Sequence, residues 1–211
     1  MGKSVQTGAA LGAVITLAIL DEKGIDAVTV RAVASRLGIQ APALYYHVRN
    51  KQELLDEMGT AIQRQVNAAF VRRAGGQDLR DDFATYANVL RAEYLSHRDG
   101  ARTFSGTRLT DPEVPRAQEP WLRRGVAAGV PLARIVDAAE VVTAFVVGFV
   151  IEEQERRHSD GTDPSRYSVA ERDTWLGAEV PLVVETAHVR GGDNERFARQ
   201  LTMVINGLVL D

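Results

Sequence analysis

The stretch Val28–Leu55, VTVRAVASRLGIQAPALYYHVRNKQELL, decides the fold. Val30, Val33, Ala34 and Leu37 recur at helical spacing, and Thr29 stands before them where a hydroxyl can accept from a free amide of the first turn. Gly38 then stops the helix, because glycine accepts a left-handed backbone without penalty. Pro42 suits the first turn of a short helix that runs to about His47, and Asn50 is placed to cap a longer one carrying Leu54, Leu55, Met58 and Ile62. A capped helix, a glycine turn and a short second helix form the layout of a helix-turn-helix, whose second helix enters the major groove of double-stranded DNA. Ala34 is small where the two helices cross, while Leu44 and Val48 face inward and seat the recognition helix.

The outward positions of that recognition helix are Gln40, Ala41, Pro42, Ala43, Tyr45, Tyr46 and His47. Gln40 can read a base edge, Ala43 can touch a thymine methyl, and the tyrosines and histidine can bond phosphate oxygens. Arg31 follows the cap by two residues, within reach of a guanine or a phosphate. Lys51 opens the next helix, where its charge and the free amides both suit a phosphate. An isolated aromatic pair is more often packing. Here the cap, turn glycine, short helix and flanking cations fall in one register.

Outward from this stretch the chain reads as all-α. The first helix covers about Val5–Lys23 and ends at Gly24. Its apolar part, Gly8–Leu20, resembles a short signal peptide but lacks a small-residue cleavage site and is too short to span a bilayer. Gly75 and Gly76 mark a loop before a fifth helix bearing Phe83, Tyr86, Ala87, Leu90 and Tyr94. Residues 101–130 are broken by Gly106, Pro112, Pro115, Pro120 and Gly129 into short, irregular helices. A long helix is expected over 131–157, apolar on nearly every face from Val141 to Ile151, followed by a polar loop His158–Pro164. One helix is expected over about 169–189, and a last one over 193–210, capped by Asp193 and striped by Phe197, Leu201, Val204, Ile205 and Leu208.

The formal charge is −3, unlike that of a typical nucleic-acid binder, but it is unevenly spread. Residues 1–55 hold six Lys/Arg against four Asp/Glu, a net of +2, leaving 19 against 24, or −5, for the rest. With no cysteine, thiolate metal sites and disulfides are excluded. His47, His97, His158 and His188 are isolated, with no metal-ligand spacing, so no metal and no cofactor are expected. A nucleophile elbow, a His–Glu metal motif and a phosphate loop are absent, which argues against an enzyme. The expected location is the cytoplasm, with no membrane partner.

T-V-R-A-V-A-S-R-L-G, P-A-L-Y-Y-H-V and N-K-Q-E-L-L together resemble the DNA-binding domain of the TetR family of repressors. Further on, LSHRDGARTFSGTR (Leu95–Arg108) and GFVIEEQE (Gly148–Glu155) resemble the effector domain of the tetracycline repressor subgroup. The resemblance implies two units, a three-helix DNA-binding domain over 1–52 and an effector-binding and dimerisation domain over 53–211. It also implies a homodimer that reads a palindromic operator and a small-molecule effector that releases it. The dimer would form through helices 131–157 and 193–210, which independently carry the widest apolar surface, although such a surface also suits the core of a monomer. The DNA contacts carried over are Thr29, Arg31, Gln40, Ala41, Pro42, Ala43, Tyr45, Tyr46, His47 and Lys51.

The same resemblance places the effector among Asn67, Tyr86, Leu90, Phe104, Thr107, Arg108, Trp121, Val142, Phe145 and Glu152. In tetracycline repressors a drug–magnesium complex binds there, and a histidine before G-T-R coordinates the metal. This chain has Phe104 at that position, and only the acidic residue aligned with Glu152 is retained. Magnesium needs several hard ligands in octahedral geometry, so the expected ligand is largely apolar and metal-free. Small Ala41 and Ala43 leave open an alternative, a ligand sensor or protein-interaction module with an inactive DNA head.

Overall fold

The computed structural model describes the backbone of residues 2–45, 48–76 and 78–210, and the side chains of those from residue 12 onward. Every regular element among them is helical. In chain order they are α1 (Gly2–Lys23), α2 (Val30–Leu37), α3 (Ala41–Leu44), α4 (Lys51–Arg73), α5 (Leu79–Leu95), α6 (Glu113–Arg116), α7 (Glu119–Ala127), α8 (Leu132–Thr162), α9 (Val169–Leu176), α10 (Pro181–His188) and α11 (Asp193–Asn206), with short 3₁₀ turns at Ile25–Ala27 and Gly100–Thr103.

Helix α4 is the spine. Leu54, Met58, Ile62, Val66 and Ala69 recur every three or four residues and are all buried. Full burial of each of the larger four is worth about 1.5–3 kcal/mol. Helix α4 packs against both α1 and α5. One continuous hydrophobic core therefore runs from Leu20, Val28 and Val33 in the head to Phe83, Val142 and Phe197 in the body.

The body is also held by buried charge. Glu153 of α8 is fully buried, accepts from Arg91 of α5 at 2.9 and 2.8 Å, and is shared with Arg157. Arg91 in turn lies 4.6 Å from the Phe197 ring, which ties α11 into the same network. Asp82 accepts from the amides of Gly75 and Gly76 and pairs with Arg124 of α7. Arg80 donates to the carbonyls of Ile205 and Leu208, satisfying the end of α11.

Several boundaries differ from those expected. Helix α8 continues through the polar stretch to Thr162, because Ser159 is buried and Thr162 donates back to the His158 carbonyl, and Pro164 stops the helix just beyond. The helix expected over 169–189 is two, since Gly177 turns at φ 73° and Pro181 cannot sit in a helix interior. Gly192, not Asp193, caps α11; Asp193 is its first residue and its carboxylate accepts from Arg196 at 2.8 Å. That helix ends at Asn206 rather than 210, with Gly207 as its C-cap. Helix α3 ends at Leu44, and Tyr46 and His47 lie outside the described residues.

Candidate DNA interface and ligand cavity

In the head, Thr29 accepts from the Ala32 amide at 3.1 Å, and Gly38 takes the left-handed conformation at φ 69°, ψ 24°. The Ile39 amide then bonds the Ala34 carbonyl at 3.1 Å, which sets the turn between α2 and α3. Leu44 is buried, so the outer side of α3 is fixed relative to the core. Thr29, Arg31, Gln40, Pro42, Ala43, Tyr45 and Lys51 are exposed, and Ala41 is half-buried against the core. Arg36 pairs with Glu22 on the surface at 2.6 Å; the hydrogen bond pulls Glu22 below the usual carboxylate range and raises Arg36. Arg49, between Tyr45 and Lys51, has an 86% exposed side chain and was missed from sequence, although a cation between two helices of such a head is a visible signal. At the start of α4, Asn50 accepts from the Glu53 amide and Glu53 accepts from the Arg49 amide, a reciprocal cap that fixes the helix's entry.

Beneath the head lies a cavity of about 710 Å³, walled by α4, α5, the 103–109 segment, α7 and α8. Of the residues expected there, Tyr86, Phe104, Thr107 and Trp121 line it. Asn67 lines a smaller adjoining recess and donates to the Val114 carbonyl at 2.7 Å. Leu90 and Val142 are fully buried in the core, and Phe145 stacks on Phe197 at 5.5 Å. Arg108 is exposed, its amide held by Asp56 at 3.1 Å, and Glu152 is exposed toward Arg156. The lining also includes Gly59, Gln63, Tyr94, Glu140 and Thr143, none of them foreseen. Gly59 and Gln63 precede Asn67 by two turns and one turn of the same helix, so the spacing that singled out Asn67 pointed to them too.

The Tyr86 hydroxyl meets Thr143 Oγ1 at 3.2 Å, and burial raises its pKa while that bond and one from Gln63 oppose the rise. Burial pushes Tyr94 up further, so both phenols stay protonated at neutral pH. The wall's oxygen donors are hydroxyls, amides and the single carboxylate of Glu140, and half-exposed Phe104 beside them offers no metal-ligating atom. Those residues do not fit a chelated divalent cation. Among the described residues no cluster of three His, Cys, Asp or Glu could hold a metal.

Cavity and head are joined by one short segment. Thr103, Phe104 and Thr107 line the cavity, while His97, Arg98 and Asp99 grip the end of α1. Asp99 accepts from the Ile25 amide at 2.9 Å, and His97 bridges Asp21 at 3.0 Å and Gln65 of α4 at 3.1 Å. Gly59 is the point of closest approach on α4: a Cβ there would lie 2.5 Å from Thr107 Cγ2.

Comparison with known proteins agrees with both halves of this arrangement. Residues 16–58 match the model for bacterial regulatory proteins of the tetR family, and residues 73–210 match the tetracyclin repressor-like C-terminal domain. The chain is 34% identical over 192 residues to the class A tetracycline repressor of Escherichia coli, covering 91% of this chain and 86% of that one. It is 38% identical over 156 residues to the class G tetracycline repressor of Vibrio anguillarum, covering 74% and 73%. Among solved structures, a possible TetR family regulator from Streptomyces coelicolor superposes with a TM-score of 0.78 at 30% identity, covering 95% and 98% of the two chains. TetR from Acinetobacter baumannii superposes at 0.66 and 32%, covering 93% of each, and a variant of that protein has been solved with minocycline. The chain belongs to the TetR family: it is a DNA-binding transcriptional regulator with a helix-turn-helix head and a C-terminal domain of the ligand-binding type. Its role is that of a regulator, and no helix among the described residues is long and apolar enough to cross a membrane.

Proposed function

We propose that this chain is a cytoplasmic repressor that binds a palindromic operator as a homodimer and is released by a small, largely apolar molecule other than tetracycline–magnesium. The observation that carries the reading is the double use of α4: Gly59 and Gln63 wall the cavity, while Leu54 and Met58 of the same helix pack in the core beneath the head. A ligand that presses on α4 and on the 103–107 wall moves the seat of the recognition helix and, through His97 and Asp99, the end of α1. Two heads moved apart then no longer span half-sites about 34 Å apart.

Dimerisation through α8 and α11 is supported by the apolar side chains these helices leave in solvent. Leu132 and Val141 of α8 are 53% and 52% exposed, and Met203 of α11 is 71% exposed. Thr29, Arg31, Gln40, Ala41, Pro42, Ala43, Tyr45, Tyr46, His47 and Lys51, with Arg49 added, form the DNA face of this proposal. Tyr86, Phe104, Thr107 and Trp121 are the effector contacts, with Asn67 in the adjoining recess. The test is a gel-shift titration against the DNA upstream of the gene. A retarded complex at low salt that weakens steeply as salt rises is expected. No retardation at low salt from a folded protein refutes the reading.

A further inference from the structure

The cavity wall is sharply biased in charge. Glu140 is its one acidic residue, and no Lys, Arg or His lines it. Glu140 has no ion pair or hydrogen bond among the described residues. Its neighbours one turn away on α8, Val136, Asp137, Thr143 and Ala144, offer no cation. Four aromatic residues, Tyr86, Tyr94, Phe104 and Trp121, line it together with aliphatic side chains and the neutral polar groups of threonines and glutamines.

Two donors are also left without partners. Tyr94 is 2% exposed, lines the cavity, and its hydroxyl has no hydrogen bond among the described residues. The indole N–H of Trp121 is buried and likewise unpaired. Tyr94 lines the cavity, so a ligand that brings an acceptor can take a hydrogen bond from its hydroxyl.

We propose that the cavity selects a hydrophobic aromatic cation carrying a hydrogen-bond acceptor, with Glu140 as counter-charge at its mouth and the ring faces of Tyr86, Phe104 and Trp121 as cation–π partners. The proposal rests on reading this cavity as the effector site. An anionic effector meets a carboxylate and no basic group. Glu140 is exposed at the mouth, where water solvates it, and a neutral ligand gains no attraction from it.

Calorimetry on the full chain with ions of one shape and opposite charge tests it. Tetraphenylphosphonium is expected to bind about tenfold or more tighter than tetraphenylborate, and added salt should narrow the gap. Neutral triphenylphosphine oxide, which carries an acceptor, should fall between. Glu140→Gln is expected to weaken the phosphonium about fivefold and to leave the phosphine oxide unchanged, whereas the distant exposed change Asp160→Asn alters neither. If the borate binds as well as the phosphonium, or Glu140→Gln leaves the preference intact, the charge assignment is overturned while binding of the phosphine oxide keeps the cavity as a ligand site. If none of the three binds to a protein that still retards operator DNA, both the charge assignment and the effector-site reading fall.

Discussion

The head and the cavity are built by opposite strategies. Between Thr29 and Glu53 each structural signal acts on a residue no more than five positions away: Thr29 caps Ala32, Gly38 closes α2, and Asn50 caps Glu53. The cavity instead draws its wall from residues between Gly59 and Ala144. Local hydrogen bonds define a surface that must present the same face to every operator. A space assembled from distant elements can change its lining without disturbing that face. The two are nonetheless welded through one core, so damage on either side should be felt by both.

The largest expected effect comes from the body's buried charge. Glu153→Ala leaves Arg91 and Arg157 without their shared carboxylate and should cost about 3–5 kcal/mol, read as a lower urea midpoint for the whole chain. Unfolding in two separate steps would break the picture of a single welded core.

Leu44→Ala, in the head, should cost about 2–4 kcal/mol. Its sharper readout is operator binding, which should fall further than stability does, because Leu44 seats α3. Unchanged DNA affinity in a folded protein would show that α3 does not need its core anchor.

A smaller effect is expected at contacts that touch DNA or cap a single helix. Arg31→Ala should weaken operator binding by about 1–3 kcal/mol and leave ligand binding alone. Thr29→Ala should cost about 1 kcal/mol of stability through its lost cap bond. Either change acting equally on the cavity would erase the contrast between the two regions.

The smallest is a pH effect on the exposed Glu22–Arg36 pair. Its hydrogen bond depresses the folded-state pKa of Glu22, so the stabilisation is present above the ordinary carboxylate range and is lost as pH falls through the depressed value. A comparison of acid unfolding curves for the parent protein and Glu22→Gln should show this loss only in the parent.

Much of the fold was legible because its signals are short-range. Thr29, Gly38 and Asn50 cap or close helices where their chemistry predicts, and the apolar stripe of α4 is visible as spacing. The errors arose where burial overrode local preference. Ser159 looked like loop but is buried, which carries α8 on to Thr162, whereas Gly177 and Pro181 outweighed the apolar pattern around them. For the cavity, the sequence supplied the aromatic members Tyr86, Phe104 and Trp121. It could not separate Leu90 and Val142, which face the core, from Tyr94, which lines the space, because all three lie on buried helix faces and spacing alone does not say what each face meets.

By itself, then, the sequence determined the helix-turn-helix and the all-α class. These depend on side-chain chemistry and on bonds spanning a few residues. Only the tertiary structure decided which face of α5 and α8 bounds the cavity, that Gly59 approaches Thr107 closely, and that Glu140 is the one charged residue of the cavity wall. Those facts depend on how helices far apart in the chain cross, and that is set by packing the whole core at once.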